Sequence, residues 1–215
     1  PILVEKLKAV MQQNPCQRAV VCVCGGSGVG KSETASLLVH ALQVSGVGSY
    51  ILSGDNYPHR IPMQNDAERL RVFRTGAVSG LVASGLYRPE VRDTLRHLQE
   101  TDTDADPALC ASHPWLAIYQ NEGKKALSGY LGSEKELNFA ELSGIIQQFK
   151  TGAQALYLKR MGRTPLDLWY DRVDFSDKHV LIIEWTHGNS DRYVGVDIPI
   201  LLNSTPQETL EHRRS

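Results

Sequence analysis

The chain has 215 residues, 41% of them hydrophobic, and a formal net charge of −1. This predicts one large globular domain, or one domain with an elaboration, and gives no electrostatic argument for a nucleic-acid or membrane partner. No stretch approaches the roughly 20 apolar residues of a membrane helix, the start lacks a signal-peptide pattern, and the four cysteines fit no disulfide framework, so we expect a cytoplasmic protein.

The first part of the chain alternates helical and strand patterns. Apolar residues recur at helical spacing from Ile2 to Met11, and Asn14-Pro15 ends that helix. Residues 18–24 form a β-rich run, and residues 31–44 form a helical pattern with one apolar face. A second strand at 50–52 runs into a polar turn at 53–58.

The segment between the first strand and its helix has the spacing G-x-x-x-x-G-K-S. The backbone N–H groups of such a loop cradle nucleotide phosphates, the lysine reaches the β- and γ-phosphates, and the serine hydroxyl holds Mg²⁺. We therefore predict that the chain uses ATP and Mg²⁺. The predicted nucleotide-binding residues are Gly25, Gly26, Ser27, Gly28, Val29, Gly30, Lys31, Ser32 and Glu33.

Residues 60–130 contain no clear strand. Helical patterns at 66–73 and 89–99 predict a largely helical insertion within a single domain that spans 1–215. Asp102, Asp104 and Asp106 resemble the start of a calcium-binding loop, but the Gly and Glu that such a loop needs at its sixth and twelfth positions are absent. We therefore expect a solvated loop there.

The last third of the chain returns to alternating patterns. Asn138 opens a helix with an apolar stripe, and residues 178–184 form an aliphatic run ending in Glu184, which is typical of a strand buried on both faces of a parallel sheet. Another strand follows at 197–202, and Thr205-Pro206 begins a last helix. Together the elements predict an α/β fold with a mainly parallel, doubly wound sheet.

Charged residues near the expected edge of this sheet suggest chemistry on the phosphates. Asp55 follows the second strand, at the edge where ligands bind in open α/β sheets, and would accept a proton from an attacking hydroxyl group. Ser32 and Glu184 are the predicted metal ligands. Arg213 and Arg214 would close over the phosphates and neutralise charge in the transition state. Arg213 is therefore predicted to bind the nucleotide as well, and Lys31, Asp55 and Arg214 form the predicted catalytic set. A turn-forming Asp, a solvent-facing Glu and exposed arginines stay open as alternatives.

With these residues in place, the chain resembles the uridine kinase/phosphoribulokinase-type branch of P-loop small-molecule kinases. The matching segments are 25–32, 53–57, 138–139, 150–152, 183–184 and 197–202 with the arginines that follow. The resemblance leaves out residues 60–130. It implies a three-layer P-loop kinase fold, with Asp55 as catalytic base, Ser32 and Glu184 as Mg²⁺ ligands and Tyr57 as a wall of the acceptor site.

The residues expected to determine which acceptor binds differ from those of this family. Asn138 stands where uridine kinases have an Asp, and residues 155–163 lack their Pro-x-Tyr-Asp pattern and the following His. We therefore predict transfer to a hydroxyl of a small metabolite, with uridine a weak candidate. The predicted substrate residues are Tyr57, His59, Arg60, Asn138 and His187. Arg160 and Arg163 are open either as ligands of an anionic acceptor or as ordinary surface arginines.

The leading prediction is an ATP- and Mg²⁺-dependent phosphotransferase with an alcohol group as acceptor. The alternatives are a catalytically impaired, nucleotide-binding regulatory protein and a P-loop NTPase switch, although the guanine motif Asn-Lys-x-Asp is absent. Only four strands are predicted, and the last helix is cut short at Ser215, so the C-terminal lid and a last strand are expected to be truncated or missing. Assembly into a homo-oligomer stays open.

Overall fold

The computed structural model describes residues 2–164 and 166–203. The predicted helix after Thr205, with Arg213 and Arg214, lies outside the described residues. Two compact units are distinguished: the first comprises Pro1–Pro58 and Leu137–Ser215, and the second comprises His59–Glu136. The second unit begins and ends close to the predicted insertion at 60–130.

The described elements alternate as the sequence patterns suggested. The helices are α1 (Ile2–Gln13), α2 (Lys31–Val44), α3 (Pro62–Ala83), α4 (Pro89–Glu100), α5 (Trp115–Tyr130) and α6 (Phe139–Lys150). The strands are β1 (Ala19–Gly25), β2 (Ser49–Ser53), β3 (Ala155–Met161), β4 (Leu168–Asp174), β5 (Val180–Trp185) and β6 (Ile198–Leu202). Short 3₁₀ turns lie at Gly54–Asn56 and Pro107–Ala111.

The first unit is built on a four-stranded parallel sheet in the order β2-β5-β1-β6. Strand β1 is buried along its whole length, and its side chains alternate between two cores. Val20 and Cys22 belong to the core that includes Ile146 of α6, whereas Val21 packs in the core that includes Leu7 of α1 and residues of α2. Helices therefore cover both faces of the sheet, which confirms the predicted three-layer α/β architecture.

The β3–β4 hairpin was not predicted. Its two strands are antiparallel and form a separate sheet, with Lys159 opposite Tyr170 and Arg160 opposite Trp169. Nearly every residue of β4 is exposed, so its sequence carries no apolar alternation that would mark a strand. The hairpin follows directly on α6 and adds polar side chains to the first unit.

The second unit is helical and has its own core. This core contains Phe73, Ala77, Leu81, Leu95, Leu98, Leu116 and Tyr119. Helices α3 and α5 approach closely at glycines: a Cβ atom on Gly123 would lie 2.7 Å from the Phe73 ring, and one on Gly76 would overlap Ala126. Glycine at these positions lets the two helices pack with little side-chain volume between them. No helix among the described residues is long and apolar enough to cross a bilayer.

The acidic segment at 102–106 is not simply a solvated loop, and that prediction was wrong for Asp104. Asp104 is 2% exposed, and its carboxylate accepts hydrogen bonds from Arg74 at 2.8 and 3.0 Å and from the Tyr119 hydroxyl at 2.7 Å. The segment is therefore fastened to α3 and α5 by a buried charge with partners. Asp102 and Asp106 are exposed.

Candidate active site

The loop between β1 and α2 has a backbone that requires glycine. Gly25, Gly28 and Gly30 have φ values of 148°, 76° and 85°, which residues with a Cβ rarely adopt. A Cβ on Gly25 would also lie 2.5 Å from the carbonyl oxygen of Leu202. The loop leads directly into the N-terminus of α2, where free N–H groups favour anions.

Lys31 lies across this loop. It is the first residue of α2 and is 9% exposed, and its Nζ donates a hydrogen bond to the Gly26 carbonyl at 2.8 Å. This is the one hydrogen bond of the ammonium group within the described part of the chain, so two of its three N–H donors are available to a ligand. A phosphate in the loop would be within reach of a largely desolvated positive charge.

Glu184 reaches the same edge because of the sheet register. Strand β5 lies between β1 and β2, and Glu184 is aligned with Val23 on one side and Ser53 on the other. Gly25 comes two residues after Val23, and Asp55 comes two residues after Ser53. The ends of three adjacent strands therefore bring the glycine loop, the Glu184 carboxylate and the Asp55 turn together.

The electrostatics of Glu184 show which groups lie around it. Burial raises its pKa above the ordinary value, and the charge of Asp55 raises this pKa further. Lys31 and a hydrogen bond from the Ser32 side chain lower it. The carboxylate is thus close to another carboxylate, in a half-buried position that a cation would stabilise.

The oxygen donors of this site suit Mg²⁺. Ser32, Glu184 and Asp55 offer a hydroxyl and two carboxylates, and Mg²⁺ is usually held by one or two carboxylates together with substrate phosphates. Within 2–164 and 166–203 there is no cluster of three or more His, Cys, Asp or Glu side chains that would hold a metal unaided. The donor set therefore fits a metal bound together with a nucleotide.

Asp55 lies in a turn that other residues stabilise. The turn Gly54–Asn56 packs so closely on Trp185 that a Cβ on Gly54 would overlap the indole ring. Asn56 accepts a hydrogen bond from the Met161 N–H at 3.1 Å. Asp55 itself is exposed, and its carboxylate has no hydrogen bond to another described residue. This argues against the alternative that Asp55 serves only to stabilise the turn.

Tyr57, Asn138 and His187, the predicted acceptor residues of the first unit, differ in burial and in hydrogen bonding. Tyr57, which the resemblance implied as a wall of the acceptor site, is fully buried by other residues of the protein. Asn138 caps α6, because its side-chain oxygen accepts from Glu141 N at 3.0 Å and its Nδ2 donates to Glu141 Oε2 at 2.9 Å. His187 is half-buried, with its ring 5.6 Å from that of Trp185 at the end of β5. Asn138 therefore positions Glu141.

His59 and Arg60 belong to the second unit and have partners there. A ring nitrogen of His59 lies 3.0 Å from the Glu134 carbonyl oxygen. Arg60 donates to the Tyr130 hydroxyl and to the Lys135 carbonyl, both at 3.2 Å. Their proximity to Tyr57 in sequence was the whole basis of their assignment, so both remain predictions as acceptor ligands.

The relatives and solved structures described here have kinase in their names or descriptions. No family model matches the chain. The chain is 34% identical over 211 residues to the bifunctional alpha-galactosidase/sucrose kinase AgaSK of Mediterraneibacter gnavus, covering 98% of this chain but only 18% of that protein. It is 31% identical over 137 residues to the adenylyl-sulfate kinase of Erwinia tasmaniensis, covering 55% of this chain and 68% of that enzyme.

Solved structures share the fold at low sequence identity. A protein from Silicibacter sp. whose description names a fructose transport system kinase superposes with a TM-score of 0.50 and 17% identity, over 96% of this chain and 78% of that one. A protein from Bacillus stearothermophilus whose description names a uridine kinase gives a TM-score of 0.50 and 12% identity, over 97% and 85%. This likeness extends the P-loop architecture over nearly the whole chain.

Proposed function

Since its 31% identity to an adenylyl-sulfate kinase, over 68% of that enzyme, shows that the chain belongs to the P-loop small-molecule kinases, we propose that it transfers the γ-phosphoryl group of ATP to a hydroxyl group of a small metabolite, with Mg²⁺. The alignment with the adenylyl-sulfate kinase and the sucrose kinase supports a phosphotransferase. The chain spans 18% of the length of the bifunctional relative, so its substrates are part of the proposal.

The register of β5 is the observation that carries this proposal. It aligns Glu184 with both β1 and β2, which brings the phosphate loop and the Asp55 turn to one place. A switch protein needs the loop and a metal-binding acid, but it has no need for an exposed carboxylate without partners beside them. Asp55 is such a group, and a kinase uses it on the acceptor.

In this reaction, each group of the site would have a separate role. The backbone of the loop and Lys31 hold the β- and γ-phosphates and neutralise their charge. Asp55 accepts the proton of the acceptor hydroxyl as its oxygen attacks the γ-phosphorus, and ADP leaves. Ser32 and Glu184 would hold Mg²⁺, which supplies further charge neutralisation on the phosphates. Catalysis of this kind consists mainly of positioning and electrostatic stabilisation.

Sugars are the first acceptors to test. The first support is that 98% of this chain aligns with part of a protein whose name includes a sucrose kinase. The second is that the description of a structural neighbour names a fructose transport system kinase. Uridine has weaker support, since the structure with that description is only 12% identical.

An ADP-release screen tests the proposal. We expect ADP release with MgATP to be slow alone and to rise when one of a set of sugars, polyols, sugar acids and nucleosides is added. Rapid hydrolysis without any acceptor would favour a switch, whereas ATP binding without turnover on any acceptor would favour a regulatory protein. Either result would contradict the proposal.

A further inference from the structure

Residues on both sides of the Asp55 turn are fastened to it by hydrogen bonds within the first unit. On one side the Asn138 N–H donates to the Tyr57 carbonyl at 2.8 Å, which ties the turn to the start of α6. On the other side Lys159 Nζ donates to the Pro58 carbonyl at 3.0 Å, which ties it to β3. The first turn of α6 and the middle of β3 therefore contact the segment that directly follows the proposed base.

Glu141 is held at this place by neutral donors. Its Oε2 accepts from Asn138 Nδ2 at 2.9 Å, and its Oε1 accepts from the Tyr170 hydroxyl at 2.8 Å. Lys159 Nζ is 3.8 Å from Oε2, and 21% of the Glu141 side chain is exposed. A carboxylate can accept about four hydrogen bonds, so this one is fixed in orientation and still has acceptor capacity for a ligand.

The Tyr57 hydroxyl belongs to the same cluster, and the Lys159 backbone, which lowers its pKa, lies near it without forming a hydrogen bond of good geometry. Tyr57 is fully buried, and its hydroxyl makes no hydrogen bond of good geometry to any described residue. Burial and the nearby charge of Glu141 raise the pKa of Tyr57, so the hydroxyl stays protonated at neutral pH. A buried hydroxyl without a well-formed hydrogen bond is unfavourable, and a polar group of a ligand would supply the partner.

The charges of the cluster are balanced. Arg160 is engaged by the Asp171 carboxylate at 2.9 Å and donates to the Tyr50 hydroxyl at 2.6 Å. Lys159 is 6% exposed, has the carboxylate of Glu141 beside it and donates to Pro58. Both cations already have a carboxylate partner, so an anionic ligand would add an unbalanced negative charge. Hydroxyl groups of a neutral ligand could donate to Glu141 without changing the net charge of the cluster. The alternative that Arg160 binds an anionic acceptor is therefore unfavourable.

We propose that Glu141 is the specificity-determining residue for the acceptor, and that the acceptor is a neutral, polyhydroxylated compound whose hydroxyl groups donate hydrogen bonds to this carboxylate. Tyr170 and Asn138 act as positioning residues that fix its orientation. This inference rests on the proposed kinase function, because it assigns the acceptor site of that reaction.

Two variants and two matched controls test the role of Glu141. Glu141→Gln keeps the shape and removes the charge, and Tyr170→Phe removes one orienting hydrogen bond. Asp174→Asn and Tyr157→Phe make the same chemical changes elsewhere on the hairpin, at exposed residues. Because hydrogen bonds to a charged group are the stronger ones, we expect Glu141→Gln to raise the KM for the acceptor about tenfold or more. Tyr170→Phe should raise it less, and neither change should move the KM for ATP.

The readouts separate this inference from the kinase proposal. Acceptor KM is measured for glucose, fructose, sucrose and glycerol, with glucose 6-phosphate and gluconate as anionic counterparts, and binding of the same compounds is followed by ligand-observed NMR without turnover. Turnover or binding of neutral compounds that Glu141→Gln weakens, with both controls unchanged, is the expected result. Turnover restricted to the anionic compounds, or a Glu141→Gln variant with an unchanged acceptor KM, would overturn the inference and leave the kinase proposal intact. If no compound is turned over or bound by the wild type, both fail.

Discussion

At the scale of single residues, Asp55 and Asn56 share one turn and have opposite roles. Asn56 bonds to the backbone of β3, whereas Asp55 is exposed and has no hydrogen bond within the described residues. A residue that stabilises the fold and one that acts on a substrate should therefore respond differently to substitution. The pair gives an internal control for the proposed base.

We expect Asp55→Asn to lower kcat by about 10²- to 10⁴-fold, the usual contribution of a general base, with little change in Tm or in ATP affinity. Asn56→Ala should instead lower Tm, since it removes the bond to the Met161 N–H. Steady-state kinetics, thermal unfolding and nucleotide titration on both variants provide the measurement. A large loss of Tm in Asp55→Asn would assign this residue to the fold.

Glu184 should reduce the stability of the nucleotide-free protein at neutral pH. Folding raises its pKa above the ordinary value of 4.5, so its ionisation is opposed in the folded state. This penalty is absent well below pH 4.5, grows as the pH rises from there to the folded pKa, and is constant at higher pH. Functional sites commonly carry such a cost.

Glu184→Gln is therefore expected to raise the Tm of the nucleotide-free protein at pH 7 and to abolish its Mg²⁺-dependent turnover. The gain in Tm should shrink as the pH is lowered to 4. Thermal unfolding from pH 4 to 8 measures this, with Glu5→Gln on the exposed face of α1 as the matched control. A lower Tm at pH 7 for Glu184→Gln would mean that the carboxylate is structurally required.

At the scale of elements, a buried arginine joins the start of β1 to the segments around it. Arg18 is 4% exposed, and its guanidinium donates to the carbonyls of Phe149, Ala153 and Phe175 at 2.7–2.8 Å. It thereby satisfies the C-terminal end of α6 and the chain after β4. The sequence placed Arg18 within a strand and gave it no role, because its three partners lie far away along the chain.

We predict that Arg18→Met lowers the free energy of unfolding by about 3 kcal/mol, because it removes three hydrogen bonds from a charged donor to carbonyl oxygens. Arg18→Lys should recover little of this, since one ammonium cannot reproduce the planar set of donors. Urea unfolding followed by circular dichroism measures the loss, and Arg172→Met on the exposed strand β4 is the matched control. Equal stability of Arg18→Met and the wild type would contradict the assigned role.

The sequence predicted those elements whose side chains have a regular pattern of burial. Strands β1 and β5 are continuous apolar runs because both of their faces are buried. Strand β4 is exposed, and α5 mixes buried Gln120 and Gly123 with its apolar positions, so neither has a clear periodicity. The same limit applies to the site: Gly25 to Ser32 and Glu184 follow from local patterns, whereas Glu141 and Lys159 acquire their role only when α6 meets β3.

At the scale of the whole molecule, the parallel sheet explains why residues far apart in sequence act together. Lys31 follows β1, Asp55 follows β2 and Glu184 lies near the end of β5. The order β2-β5-β1 makes these three strands neighbours. The helical second unit has its own core, and the partners of His59 and Arg60 lie within it. The roles of Arg213 and Arg214 remain predictions.

Transfer of ³²P from γ-labelled ATP to an acceptor tests the central claim most directly, because it distinguishes transfer from hydrolysis. The wild type should label a small hydroxylated acceptor in the presence of Mg²⁺, and Lys8→Ala, which changes an exposed lysine of α1, should do the same. Lys31→Ala and Asp55→Asn should not label the acceptor. Label that appears only as inorganic phosphate in the wild type, or transfer that survives Lys31→Ala, would contradict the account.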